Sequence, residues 1–463
     1  MRLRRISRRS GISRTIGAIG LTLLIGSVAG CGEDSTTNPG PEVDPLALSG
    51  GSTTVFSETS LAYTLPAANL DAQQLARHLT GDVAFEAVYV TAPAAVNSGL
   101  GPAYNEPSCE SCHARNGRAR NSRLVRISVP GRDARTGAPL PAPGFGGQLQ
   151  EQAIVGMRPE VVLQVSYEER PGHLPDGEAY SLRNPVYEIE TTGRALPTSF
   201  MISPRVAPPV FGLGLLEAIS DQTLLEFAGR PEVDGISGRV NWVWSRDRGG
   251  TAIGRFGWKA NEPTLRQQTA HAFQEDMGVT SPIFPEEATA GQQEYADSLS
   301  DDPEIEAQTV DEATFYVQSL GVPARRGLND PMVQRGSTLF DQVGCAHCHV
   351  RELQTAEHPE IPGLSGQTIR PYTDLLLHDM GSDLADNRPD FEADGREWRT
   401  PPLWGIGLLE TVNGHLELLH DGRARGHMEA ILWHGGEADS SAQRVKRLPK
   451  ADRDALVRFL RSL

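Results

Sequence analysis

Two stretches of the chain decide how it can fold, because each carries two cysteines and a histidine in one fixed pattern. They are Cys109-Glu110-Ser111-Cys112-His113 and Cys345-Ala346-His347-Cys348-His349. In such a Cys-x-x-Cys-His motif, the two thiols reach the two vinyl groups on one edge of a haem, and the histidine lies under the iron. The sequence therefore predicts two covalently bound haems c. The attachment residues are Cys109, Cys112, Cys345 and Cys348, and the iron ligands are His113 and His349.

Two other kinds of site also use a Cys-x-x-Cys pair. It is half of a zinc site in some proteins and a redox-active dithiol in others. A zinc site needs a second half nearby, whereas the two motifs are 236 residues apart. Neither alternative explains why a histidine follows both pairs. The chain has five cysteines, and the fifth is Cys31, so none remains for a structural disulfide.

The N-terminus has the composition of a targeting segment. Residues 1–30 contain six arginines and no acidic residue, and residues 16–26 form an apolar run too short for a typical membrane-spanning helix. The small residues before Cys31 resemble a bacterial lipobox, which predicts a lipoprotein signal peptide at 1–30 and lipidation of Cys31. The alternative is an ordinary signal peptide followed by an incidental cysteine. Polar residues at 31–50, rich in Pro and Gly, predict a flexible tether.

These features predict a location on the periplasmic side of a bacterial membrane, held by the lipid anchor alone. Gly32 stands where an aspartate would favour retention at the inner membrane, so the outer membrane is favoured. The net charge of −16 and the lack of an extended basic face argue against nucleic-acid binding. An acidic surface suits a small cationic electron carrier. Alternatively, the acidity serves only to keep the protein soluble.

An internal repeat indicates the domain organisation. Residues 208–217 match residues 401–410 at an offset of 193, and in both copies the Cys pair comes first. We therefore predict a mainly α fold with two cytochrome c-like haem domains in tandem, at 51–325 and 326–463. The larger offset between the Cys pairs predicts a strand- and loop-rich insertion in the first domain, at about 122–202. Local patterns predict helices at 70–79, 331–343 and 451–463, and strands at 124–129, 161–167 and 240–244.

Several longer strings resemble the bacterial di-haem oxidoreductase family, a relative of the di-haem cytochrome c peroxidases. The resemblance covers about residues 101–463. Its strongest strings are Gly254-Arg255-Phe256-Gly257-Trp258-Lys259-Ala260 and Leu418-Leu419-His420-Asp421-Gly422-Arg423-Ala424, together with residues 107–113, 207–217, 374–381 and 398–405.

The sixth ligand of each iron decides whether a haem stores electrons or reacts. By residue type alone, the second haem has several candidates, and their spacing does not choose among them. They are His378, Met380, His415, His420, His427, Met428 and His434. In the peroxidases, the axial ligand lies fourteen residues after the histidine of a His-Asp-Gly turn. The resemblance therefore implies that His434 is the distal ligand of the second haem.

The same alignment places the ligand position of the first haem at Ala272. His271 is one residue away, which is roughly 100° around a helix. Either His271 binds the iron after a local shift, or the first iron has an open face. The resemblance implies that Glu275 or Asp276 acts as acid and base beside an open haem. The alternative is that both are exposed carboxylates without a catalytic role.

The first functional hypothesis is an exported di-haem oxidoreductase. It would have peroxidase-like chemistry at the N-terminal haem and electron relay through the C-terminal haem, with hydrogen peroxide as a candidate oxidant and a small redox protein or another donor as the reductant. The second hypothesis is a non-catalytic electron-transfer cytochrome in which both irons are six-coordinate. The third is an accessory protein that binds a partner through its insertion.

Overall fold

The described part of the chain begins at Val43. The computed structural model describes residues 43–120, 123–289, 291–295 and 301–463. The predicted signal peptide, Cys31 and most of the predicted tether lie outside these residues. From Asp44 onward the chain belongs to one compact unit. The carbonyl of Ala47 accepts a hydrogen bond from the Arg325 amide and that of Ser49 accepts one from Arg370, so the last part of the predicted tether is packed.

Regular structure in the described residues comprises eleven α-helices and fourteen strands. The helices are α1 (Ala72–Glu86), α2 (Cys109–Cys112), α3 (Leu213–Glu217), α4 (Asp221–Ala228), α5 (Leu265–Met277), α6 (Ala307–Ser319), α7 (Pro331–Gln342), α8 (Leu409–Asn413), α9 (His427–Leu432), α10 (Asp439–Arg447) and α11 (Lys450–Leu460). The strands are β1 (Ala103–Tyr104), β2 (Arg123–Arg132), β3 (Pro139–Leu140), β4 (Gln148–Leu149), β5 (Gln152–Ala153), β6 (Val161–His173), β7 (Ala179–Thr191), β8 (Met201–Val206), β9 (Trp242–Ser245), β10 (Gly250–Ile253), β11 (Leu353–Gln354), β12 (Thr368–Ile369), β13 (Leu377–Asp379) and β14 (Glu397–Arg399). None of the helices in these ranges is long and apolar enough to cross a membrane.

The prediction of a mainly α fold is wrong. Of the residues that the structure describes, 30% are helical and 21% are in strands. Strands also occur well outside the predicted insertion. There, β9 pairs with β10, β11 with β12 and β13 with β14, each as a short antiparallel pair. Strands of two to four residues are too short to show an alternating pattern, so the sequence gives no sign of most of them.

The predictions for individual elements agree better with the structure. The helices expected at 70–79, 331–343 and 451–463 are α1, α7 and α11, and the expected strands correspond to β2, β6 and β9. The prediction missed that β6 continues to His173. Helix α1 begins at a capping box formed by Asp71 and Gln74, and α7 begins at Asp330 with a proline in its first turn.

Two helix pairs repeat the same crossing. Helix α1 packs on α6, and α7 packs on α11. A Cβ atom on Gly81 would lie 2.3 Å from the carbonyl oxygen of Glu312, and one on Gly336 would lie 2.0 Å from that of Ala455. Both crossings therefore need a glycine, because the partner backbone occupies the space of a side chain.

Each crossing also contains two aromatic rings in contact, at equivalent positions. Four residues after the glycine comes Phe85 in α1 and Phe340 in α7. Phe85 contacts Tyr316 with ring centres 5.1 Å apart, and Phe340 contacts Phe459 at 5.2 Å. The predicted boundary near residue 325 falls between the two pairs. The division into two haem domains stays a prediction.

The repeated Pro-Pro segments contact each other. Gly212 and Gly405 both have a φ of +71°, which favours glycine. A Cβ atom on Gly212 would lie 2.7 Å from the ring of Trp404, and one on Gly405 would lie 2.4 Å from the ring of Phe211. Each copy thus fits its aromatic residue against the glycine of the other copy, and this contact joins the two halves of the core.

The strand-rich region joins the two halves a second time. Strand β2 pairs with β3, β4 and β8, and β6 pairs with β7 in a hairpin of thirteen residue pairs. The hairpin lies against the C-terminal half. The amide of Arg183 donates to Glu429 at 2.7 Å, and its guanidinium donates to the carbonyl of Gly422 at 2.7 Å. Tyr187 donates to Asp421 at 3.2 Å.

The crossing of α7 and α11 generates a test. Replacing Gly336 by Ala places a methyl group against the Ala455 backbone, so we expect a loss of about 1–3 kcal/mol in the free energy of unfolding. The gain in helix propensity, about 1 kcal/mol, offsets only part of this loss. Denaturant unfolding followed by circular dichroism measures the change. The control is Gly193→Ala, because no atom lies within 4 Å of its added Cβ. Equal denaturant midpoints for Gly336→Ala and Gly193→Ala would contradict the close crossing of α7 and α11.

Candidate haem sites

Both Cys-x-x-Cys-His motifs fold into a single tight turn. Ser108 caps α2, and the amide of His113 donates to the Cys109 carbonyl at 2.9 Å. In the second motif, the amide of His349 donates to the Cys345 carbonyl at 3.0 Å. One turn therefore brings the two cysteines and the histidine of each motif to the same place.

The histidine of each motif is oriented by a backbone carbonyl. Nδ1 of His113 lies 2.8 Å from the Pro208 oxygen, and Nδ1 of His349 lies 2.9 Å from the Tyr372 oxygen. Burial lowers the pKa of both imidazoles to about 4, so both are neutral at pH 7. A neutral imidazole that donates through Nδ1 keeps the lone pair of Nε2, which is the state that binds a metal.

One cavity contains both motifs. Its walls include Cys109, Cys112 and His113 as well as Cys345, Cys348 and His349. Its lining is mostly apolar and comes from both halves of the sequence, which suits the large apolar plate of a haem. We call the part around Cys109–His113 the first chamber and the part around Cys345–His349 the second chamber.

The zinc and dithiol alternatives fit this geometry poorly. Within the described ranges, one group of three or more His, Cys, Asp and Glu side chains has its ligand atoms within 4.8 Å, and it contains neither motif: Glu287, Asp302 and Glu304. Burial raises the pKa of the Cys109 and Cys345 thiols to about 12. A reactive dithiol needs a lowered thiol pKa, so the change is in the opposite direction.

In the second chamber, His434 lines the same cavity as the motif histidine. Its Nδ1 lies 2.7 Å from the carbonyl oxygen of Ala430, and the ring lines the cavity. Besides burial, the proximity of His434 lowers the pKa of His349. Burial also lowers the pKa of His434 itself, which keeps it neutral. The two imidazoles are thus close to each other, and each has its Nε2 available.

Three of the other candidates, His378, His415 and Met428, are less suitable as ligands of the second iron. His378 has both nitrogens occupied, because Nδ1 lies 2.7 Å from Glu437 and Nε2 lies 3.0 Å from Asp374. Although burial lowers its pKa, these carboxylates raise it to about 12, and a protonated imidazole cannot bind iron. His415 also uses both nitrogens, since it contacts the Arg118 carbonyl and the Glu417 amide. His420, His427 and Met380 line the cavity, whereas Met428 lies outside it, under the β6–β7 hairpin.

In the first chamber, one face of α5 lines the cavity. This face presents Leu265, Gln268, Thr269, Ala272 and Asp276, and Met277 ends the helix beside it. His271 does not line the cavity. Its Nδ1 lies 2.6 Å from Glu262, and its ring stacks on Phe284 with centres 4.9 Å apart. Burial lowers the pKa of His271, but the Glu262 carboxylate outweighs this effect and raises it to about 9. This placement does not favour His271 as an iron ligand.

The two candidate acid–base residues point in different directions. Glu275 lies outside the cavity wall, 3.5 Å from Arg126 and 3.7 Å from Nε2 of His271. Asp276 lines the cavity, and its charge contributes to the raised pKa of Cys109. Burial raises the pKa of Asp276, although Arg126 and a 2.8 Å hydrogen bond from Gln148 oppose the change. Both carboxylates are partly buried, so the alternative of two exposed side chains does not hold.

Sequence reasoning missed the residues that support these groups. Arg126 and Gln148 come from the strand-rich region, and Glu262 comes from the loop before α5. The carbonyl of Pro208 belongs to the repeated segment, so the sequence repeat could have drawn attention to it. The carbonyl of Tyr372 lies outside that repeat. Backbone acceptors leave no trace in residue identity, so only the fold reveals them.

An aromatic cluster also lines the cavity. The rings of Trp398 and His420 stack with centres 3.7 Å apart, and Nζ of Lys259 lies 4.5 Å from the centre of the Trp398 ring. Trp258 donates from Nε1 to the Val206 carbonyl at 2.7 Å. The fully buried Lys259 is paired with Asp386 at 2.8 Å. These side chains belong to both halves of the sequence and form a common wall.

Comparison with known proteins identifies the family. A family model described as "Di-haem oxidoreductase, putative peroxidase" matches residues 44–128 and 126–463. No curated protein and no solved structure matches the chain significantly. The two-haem description agrees with a cavity that is lined by two Cys-x-x-Cys-His motifs, each with its histidine oriented by a backbone carbonyl. The chain belongs to the di-haem oxidoreductase family.

Proposed function

We propose that the protein is an exported di-haem c-type cytochrome oxidoreductase that reduces peroxide at its first haem and relays electrons through its second. The observation that carries this proposal is the difference between the two chambers. In the second chamber, His434 and His349 line the same cavity and are near enough to interact electrostatically. The first chamber presents the methyl group of Ala272 at the position where the resemblance implies a ligand, with the carboxyl group of Asp276 on the same face of α5.

Both haems fit the residues that would hold them. The first would be attached to Cys109 and Cys112, and the second to Cys345 and Cys348. Each iron would have an axial ligand that is a neutral imidazole oriented by a backbone carbonyl. In this proposal His434 completes the second iron, and a bis-histidine haem has a lower potential than a His/Met haem. That haem is therefore suited to passing electrons rather than to reacting.

Asp276 is the proposed acid and base of the first chamber. An open haem iron, when bound, supplies the redox chemistry that cleaves a peroxide O–O bond. The Asp276 carboxylate would take the proton from the near oxygen and return it to the far oxygen, which then leaves as water. Gln148 holds Oδ1 of Asp276 at 2.8 Å, so the group has a fixed position. Two electrons from an external donor complete the reduction.

The donor and the location are proposed from the sequence. The acidic chain favours a small cationic redox protein as the electron donor. The arginine-rich start, the apolar run and Cys31 support export and lipid anchoring on the periplasmic side of a bacterial membrane. The competing function is a non-catalytic electron-transfer cytochrome. It requires a sixth ligand at the first iron, and the ion pair of His271 with Glu262 argues against the candidate for that role.

The oxidised protein should contain one high-spin and one low-spin haem. An open first iron is high-spin, and cyanide should convert it to a low-spin form by filling the open position. Visible absorption and electron paramagnetic resonance spectra measure both states. A fully low-spin spectrum that ignores cyanide would overturn the peroxidase proposal. Met277, whose side chain lines the first chamber, would then be the ligand to test.

Replacing His434 by Ala should create a second high-spin signal, because the second iron loses its distal ligand. The haem content should not change, since both attachment motifs are intact. The matched control is His415→Gln, because His415 is a buried histidine outside the cavity with both nitrogens in use. An unchanged spectrum in the His434 variant would show that another residue binds the second iron.

Replacing Asp276 by Asn should lower peroxide turnover by about 10²–10⁴-fold, the usual contribution of a positioned acid–base group. The carboxylate is the active form. Since burial raises its pKa, the rate of the unmodified protein should fall on acidification at a higher pH than an exposed aspartate would produce. The Asn variant should lose this decrease of the rate at low pH, the acid limb of the pH–rate profile.

Rate measurements against pH test both statements. Glu275→Gln should keep the acid limb, because Glu275 lies outside the cavity wall. The exposed Glu226 on α4 provides a neutral control, Glu226→Gln. An Asp276→Asn variant that retains both its rate and its acid limb would exclude Asp276 from proton transfer.

A further inference from the structure

One buried side chain of the second chamber has no partner for its polar atoms. His427 is the first residue of α9, is 4% exposed and lines the cavity. Neither Nδ1 nor Nε2 makes a hydrogen bond to any described residue. By contrast, His349, His378 and His434 in this chamber each have at least one nitrogen engaged.

An unpaired imidazole in such a place is unfavourable. Leaving one buried polar group unsatisfied costs about 1–3 kcal/mol, and apolar residues surround His427 on its own helix. Burial, followed by the charge of Arg461, lowers the pKa of His427 to about 4, so the ring is neutral and offers one N–H donor at pH 7. A group that enters the cavity and accepts this hydrogen bond would remove the cost.

The helix fixes where such a group must lie. His427, Ala430, Ile431 and His434 all line the cavity, at the spacing of one helix face. Helix α9 runs from His427 to Leu432, about 9 Å along its axis, and His434 follows just after its C-terminal end. If His434 lies over the iron, His427 at the other end of the helix cannot also reach it. His427 would then lie to the side of the iron, toward the periphery of the haem plate.

The periphery of a haem c carries one kind of strong hydrogen-bond acceptor, the carboxylates of its two propionate chains. We propose that His427 donates a hydrogen bond to a propionate carboxylate of the second haem. This inference rests on the proposed function, because it needs a second haem with His434 at its iron. It assigns His427 as a cofactor-positioning residue rather than an iron ligand. Arg461 is near enough to influence His427 electrostatically, and a cation there also favours a carboxylate.

The test uses the holo-protein with both haems attached. His427→Leu removes the donor and leaves an apolar side chain in an apolar setting, and His427→Gln retains an N–H donor. Without the donor, negative charge on the propionate is less well stabilised, so the midpoint potential of the second haem should fall. The propionate bending bands in the resonance Raman spectrum should shift as well. Both effects should be absent or smaller in His427→Gln, and the second haem should stay low-spin in both variants.

A control on the same helix is Met428→Leu, since Met428 faces the hairpin and not the haem cavity. It should leave the potential and the propionate bands unchanged. Three results would overturn the inference. One is a His427→Leu variant with unchanged potential and unchanged propionate bands. Another is an equal shift in the Leu and Gln variants, which would trace the effect to shape rather than to a hydrogen bond. The third is a new high-spin signal in His427→Leu, which would make His427 an iron ligand.

The failure of this inference can be told apart from the failure of the proposed function. If His434→Ala gives the expected high-spin signal while His427→Leu changes nothing, the second haem is assigned correctly and only the propionate contact is wrong. If His434→Ala leaves the spectrum unchanged, the ligand assignment fails, and the position argument for His427 fails with it.

Discussion

The hydrogen bond between a motif histidine and a backbone carbonyl is the interaction on which the rest of the site depends. An imidazole binds iron through Nε2 only when Nδ1 carries the proton and the ring is turned correctly. The Pro208 and Tyr372 carbonyls satisfy both conditions for His113 and His349. Since a carbonyl cannot change its protonation state, the orientation of both rings is independent of pH over the range in which the protein is folded.

Those carbonyls are held in place by contacts between the two halves of the sequence. Pro208 lies in the segment whose Phe211 fits against Gly405, while Trp404 fits against Gly212. The β6–β7 hairpin adds a second connection, because Arg183 contacts both Glu429 on α9 and the Gly422 carbonyl. A disturbance in one half would therefore reach the other through packed side chains. Such coupling would be useful for the electron relay between two haems that we propose.

The sequence predicted which residues line the cavity better than it predicted the fold class. The two motifs follow from residue identity and spacing, whereas His434 and the position of Ala272 follow from the family resemblance, and the structure places each of them at the cavity. The fold class failed because hairpins as short as β11–β12 carry no periodic signal. The choice between Glu275 and Asp276 also needed the structure. Neighbouring residues on a helix point about 100° apart, and the sequence does not show on which side of α5 the cavity lies. The supporting residues Arg126 and Gln148 came from the strand-rich region, far away in sequence.

The asymmetry of the two chambers has a physical origin in the two helices that line them. The face of α9 toward the second chamber presents only neutral groups, and the buried imidazoles on it keep lowered pKa values. Behind the first chamber, α5 carries His271, Glu275 and Asp276, with Glu262 and Arg126 beside them, so charged groups are concentrated there. A helix face without ionised groups suits a haem that passes electrons without taking up protons. A chamber bordered by buried carboxylates can move protons. The repeated helix crossings and motif turns thus hold two similar cofactor positions, and the helices that line them differ in charge in the direction that the two proposed roles require.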